Sequence, residues 1–131
     1  MIFINTVYEK LSASPLIQEK VAGRIYAYQT MDNSDISDTF IVIRPIDVPT
    51  PVKGVSNNYL AEEHFIQIDV EGRNITTVKD VQNEIRRILH SFNLWQQPNG
   101  LDEFFDETKR FVDSRRYVGV PDGLYYTQKL I

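Results

Sequence analysis

The 131 residues include 14 lysines and arginines, 18 aspartates and glutamates, two histidines and no cysteine, for a net charge of −4. A chain of this length buries roughly two-thirds of the surface its unfolded form exposes, so a single domain over residues 1–131 with an apolar core is expected. The missing cysteines exclude a disulfide framework, a thiolate metal site and a cysteine nucleophile, and the interspersed charges leave no basic stripe for holding phosphates.

The chain opens with Ile4, Val7, Tyr8 and Leu11 at helical spacing, and Ser14-Pro15 offers an N-cap and first-turn residue for a second short helix ending at Gly23. No basic leader with a continuous apolar run precedes them, and no stretch approaches the ~20 apolar residues that span a bilayer, so a protein of the cell interior, or one assembled there, is expected. Arg24 to Thr30 reads as a strand by its aromatic and β-branched content, Met31 to Asp38 as a polar turn region, and Thr39 to Ile46 as a central strand that Pro45 must end. The two strands predict a hairpin.

A long connection follows: Asp47, Val48, Pro49, Thr50, Pro51 and Val52, then Lys53, Gly54, Val55, Ser56, Asn57 and Asn58. It exceeds the usual hairpin loop and is either a tolerated surface insertion or an arm that is ordered only against a partner. From Tyr59 the pattern alternates, with Leu60, Ile66, Ile68 and Val70 on one parity and Glu63, Gln67, Asp69 and Glu71 on the other, Phe65 being the exception on the polar side. Past Asn74 it changes to a helix, with Thr77 as N-cap and Val78, Val81, Ile85, Ile88, Leu89 and Phe92 on the buried side; Lys79, Gln82, Asn83, Arg86, Arg87 and His90 are expected outside. This strand and helix should pack face to face.

Leu94 to Gly100 reads as a loop in which Trp95 is either a lid over the core edge, the favoured assignment, or an exposed contact. Residues 108–131 read as a C-terminal β-hairpin, with Pro121-Asp122-Gly123 as its turn and Leu124 to Leu130 as the returning strand. The expected fold class is α+β: a mainly antiparallel or mixed sheet of about five strands, with one long helix and the N-terminal helices packed on one face.

Chemistry is hard to find. Alternation sends Glu63 to the opposite face from Glu62 and His64, and His90 adds no spacing that completes a metal shell. Asp32, Asp35 and Asp38 lack the glycine and closing glutamate of a calcium loop, and Ser56, Ser91 and Ser114 lack a glycine-flanked elbow. No catalytic, cofactor-binding or metal-binding residue is assigned, so no enzyme and no cofactor is expected. The basic pairs Arg86-Arg87 and Arg115-Arg116, set against the acidic row Glu63, Asp69 and Glu71, suit head-to-tail association of identical copies, with Arg115 and Arg116 at the subunit interface.

The succession VAGRIYAY (Val21 to Tyr28), FIVIRP (Phe40 to Pro45), a long loop, HFIQIDVEG, and a helix with EIRRIL (Glu84 to Leu89) resembles the small tail-terminator and head-to-tail joining proteins of long-tailed bacteriophages. The likeness lies in order, length and strand character rather than in a motif. It implies a non-enzymatic, commonly hexameric ring at the head-tail junction of the virion, assembled in the host cytoplasm, with the tail tube protein and the head-tail connector protein as partners. DNA would pass through its channel without specific binding. On that picture residues 47–58, and less firmly 31–38, are contact loops, and Glu63, Asp69 and Glu71 line the channel. Alternatives are another head-completion or tail-tube component, or a small α+β ligand-binding domain or enzyme; no membrane association is expected.

Overall fold

The computed structural model describes residues 3–52 and 61–121. Its elements run α1 (Phe3–Ser12), α2 (Pro15–Val21), β1 (Ile25–Ala27), β2 (Phe40–Pro45), β3 (Thr50–Val52), β4 (Ala61–Gly72), α3 (Ile75–Ser91), β5 (Trp95–Phe105) and β6 (Arg110–Gly119). Three helices and a mixed sheet make the fold α+β, as expected, with a sixth strand where about five were anticipated.

The twelve-residue β4 is the hub. Its even-numbered side chains, Ile66, Ile68 and Val70, are buried beneath the helices, and its odd-numbered ones lie on the other face. β2 and β6 flank it, both antiparallel, and the sheet order is β1-β2-β4-β6-β5 with β3 also pairing β4. Ile25, Ile41, Ile43 and Tyr117 complete the inner face, which packs against Val7 and Leu11 of α1, Ile17 and Val21 of α2, and Val78, Val81, Ile85 and Leu89 of α3 in one cluster. Each fully buried aliphatic side chain contributes about 1.5–3 kcal/mol of transfer free energy.

Several local expectations are corrected. β1 and β2 are parallel, with Ile25 opposite Ile41, and form no hairpin. Residues 28–39 are long enough to carry the chain back to the start of the sheet, which a parallel pair requires and a tight turn does not. That segment folds over the outer face, where the Ile36 carbonyl accepts from Arg110 Nη2 at 2.6 Å and the Asp35 carbonyl from the Tyr26 hydroxyl at 2.5 Å. The N-cap of α3 is Asn74, whose side-chain oxygen accepts from the Thr77 amide at 3.2 Å, so Thr77 lies inside the first turn.

Gln82 is fully buried instead of solvated. Its amide donates to the carbonyls of Ile68 at 3.0 Å and Asp113 at 2.8 Å, satisfying a polar group in the seam between helix and sheet.

Residues 95–105 form strand β5, not a loop, and its partner in a hairpin is β6. Pairing skips between Gln97 and Leu101, a bulge at which Asn99 has φ 70° and a Cβ on Gly100 would meet the Ser114 carbonyl oxygen at 2.4 Å. Trp95 is 49% exposed and tilts against His90 at a 4.5 Å centroid separation, so it is no core lid. The proposed returning strand Leu124 to Leu130 lies outside the described residues.

Candidate functional site

Residues 47–58 were the expected contact arm, and their described part is strand-like. After β2 the chain crosses Ile46 to Pro49 and enters β3, which pairs antiparallel with β4, Thr50 opposite Glu63 and Val52 opposite Ala61. Thr50 to Val52 therefore continue the β2–β4 hairpin and form the base of a flap rooted in the central strand. Asp47 steadies the crossing, its carboxylate accepting from the Val48 amide at 2.7 Å, while the Val48 side chain is 78% exposed. Lys53 to Asn58 lie outside the described residues.

Beneath the crossing is an open groove of about 650 Å³ walled by Phe3, Ile4, Tyr28, Pro45, His64 and Ile66 among others. His64 is buried, with its ring stacked on Phe3 at 3.8 Å. Burial holds its pKa below the ordinary imidazole value, and the charge of Glu62 works weakly the other way. The lining is mostly apolar and includes the acidic Asp47 and Glu62. Among the described residues no three histidine, aspartate or glutamate side chains stand together as a metal-holding group.

The acidic row splits. Glu63 is exposed on the flap. Asp69 is drawn into a network on the outer sheet face: Arg44 and Gln67 donate to its carboxylate, as does the Ser114 hydroxyl. Glu71 accepts from Arg110 at 3.2 Å, and that guanidinium also lies over the Phe40 ring. Asp69 and Glu71 are thus charge-compensated within the sheet.

Arg115 and Arg116, adjacent in sequence, point to opposite faces as strand geometry demands. Arg115 lies on the helix side, donating to Asp113 at 2.9 and 3.1 Å and to Asn83 at 3.1 Å; Arg116 lies on the outer face against Gln67 at 3.1 Å. Beside Arg115 the Lys79 ammonium bridges Asp102 at 2.6 Å and Asp113 at 2.7 Å. Burial works against that charge, but the two carboxylates outweigh it and raise the lysine pKa. Tyr117 is buried next to Gln82, and desolvation pushes its phenol up to about 12.

No family model and no curated protein matches the sequence. Among solved structures, a chain of the "Virion of native gene transfer agent (GTA) particle" superposes with a TM-score of 0.59, covering 89% of this chain and 92% of that one at 11% identity. The two chains share a fold. At that identity the likeness concerns architecture alone, and it takes in nearly the whole length of both.

Sequence reasoning missed the β5 edge, the parallel β1 and the groove. The signal for β5 was weak: Pro98, Asn99 and Gly100 interrupt it, and none of its residues is buried.

Proposed function

We propose that the protein is a structural, non-enzymatic component of a phage-like virion, and specifically a tail terminator. It would form a hexameric ring that caps the tail tube and joins it to the head connector at the head-tail junction. What carries the proposal is the fold likeness to a virion chain over 89% of this chain. The order of strands, loop and helix that resembles tail-completion proteins supports it, as does the pairing of Thr50 to Val52 with the central strand.

In this proposal each chain acts as one rigid wedge, and the flap at residues 47–58 reaches the tube or connector. Glu63 faces the channel through which DNA passes, and Arg116 belongs to the basic side of the seam between copies. Light scattering of the purified protein across a concentration range, with particle images from the same fractions and with tail tubes added, tests it. The expected result is an annular particle of uniform mass, alone or seated on tube ends. A protein that stays monomeric under both conditions, and leaves tube length unregulated, rejects the terminator role.

A further inference from the structure

Among the described residues β1 and β5 are the two ends of the sheet, and β5 and the segment that follows β1 carry large, partly exposed apolar side chains. On β5 these are Trp95 (49% exposed), Leu101 (39%), Phe104 (47%) and Phe105 (41%). At the β1 end Tyr28 is 58% and Met31 63% exposed. Single exposed hydrophobes are ordinary, but four on one edge strand are not, because a long unpaired edge is the part of a sheet that soluble proteins usually blunt. The run Leu101 to Phe105 contains neither lysine nor proline; the bulge at Pro98 to Gly100 interrupts only the other half of the strand.

The charges on this strip say what it does not bind. Asp102 is held by Lys79 and Asp106 by Lys109, whereas Glu103 and Glu107 have no cation within ion-pair distance among the described residues. Pairing β5 with its own copy about a two-fold axis through Leu101 to Phe105 would set Glu103 against Glu103, and like charges directly opposite are destabilising. Centring the axis on Asp102 instead sets Asp102 against Asp102, and centring it on Phe104 or Phe105 carries the pairing past the end of β5, where Asp102 meets Asp106 or Glu103 meets Glu107. The complementary surface is therefore a different one. The β1 end, at the far side of the sheet from β5, sets Tyr28 and Met31 among the exposed polar side chains of Gln29, Asp32 and Asn33. It is curled by its own turns, the Ile25 amide donating to Gly23 and the Gln29 amide to Ala27, both at 2.8 Å, so its contacts run through side chains rather than through an added strand.

We propose that Leu101 and Phe105, which share the outer face of β5 opposite Ser114 and Arg110, pack in one copy against Tyr28 and Met31 of the next. This is a heterologous seam whose halves lie at opposite ends of one sheet, and repeated it closes into a ring. It rests on the ring proposed above and names its seam.

The chain has no cysteine, so thiols can be placed at will. L101C and M31C, singly and together, are treated with a flexible bismaleimide and read on denaturing gels. The expected outcome is a covalent ladder from the double variant, a dimer and nothing larger from an equal mixture of the two single variants, and monomer from either alone. Dimers from L101C alone mean a two-fold β5 contact and overturn the seam. Uncross-linked monomer from the double variant, in particles whose mass is that of a ring, overturns the seam and leaves the ring standing. A wild type that never assembles, alone or on tubes, overturns both. F105R, which alters an exposed side chain, should raise the concentration for half-assembly at least about tenfold with an unchanged melting temperature. Assembly of F105R at the wild-type concentration counts against the seam.

Discussion

Two buried side chains show what single residues contribute. Gln82 satisfies two carbonyls from neighbouring strands inside an otherwise apolar seam. Gln82→Ala removes that link and should cost about 1–3 kcal/mol in urea denaturation; a smaller loss would mean that the carbonyls are satisfied without it. His64 has a pKa below the ordinary 6.5 because burial disfavours the imidazolium. The unfolded chain therefore takes its proton first as pH falls. Stability is full above about pH 6.5 and declines as pH drops from there through the lower folded pKa. His90 shifts the same way, through burial and then the nearby Arg86 charge, and adds to the slope. His64→Phe keeps the stack on Phe3, and a melting curve taken between pH 7 and 5 should flatten. An unchanged pH slope would place the protonation elsewhere.

At the scale of elements, β4 and α3 were legible because each has one buried and one open side, and burial writes its period into the sequence: two for the strand, three and four for the helix. β5 was not legible, since an exposed edge strand has no buried side to impose a period. The β1–β2 pairing was equally hidden, because a three-residue strand acquires its direction from where residues 28–39 return the chain, a tertiary matter. The cap of α3 slipped by one turn for a related reason: Asn74 and Thr77 are both good caps, and Ile75 starts the helix although it is 38% exposed. Asn74→Ala should cost about 0.5–2 kcal/mol, and Thr77→Ala clearly less. Equal losses in thermal denaturation would move the cap back to Thr77.

For the whole molecule, the candidate site was half legible. The length of the connection at residues 47–58 was plain in the sequence, but Pro49 and Pro51 hid the pairing of β3 with β4. The acidic row and the arginine pair followed from parity and adjacency, while the compensating partners are Arg44 and Arg110 from neighbouring strands and Asp113 two residues before Arg115 on the same strand. This separates the variants that test assembly from those that test folding. Asp69→Lys opposes Arg44 and should lower the melting temperature; Glu63→Lys should fold normally and, if Glu63 lines the channel, slow DNA passage in an infectivity assay. Arg116→Glu should weaken self-association without unfolding the protein, whereas Arg115→Glu sets a carboxylate beside Asp113 and should destabilise the monomer. Wild-type assembly by Arg116→Glu would remove that residue from the seam.

The flap also has a mechanical consequence. β4 is one unbroken strand, clamped between β2 and β6 at its core end and bearing β3 at the other. Tension applied to the tip along the strand loads both ladders side by side, so their hydrogen bonds share the force instead of parting one after another. A partner gripping this flap would be hauling on the backbone of the whole sheet.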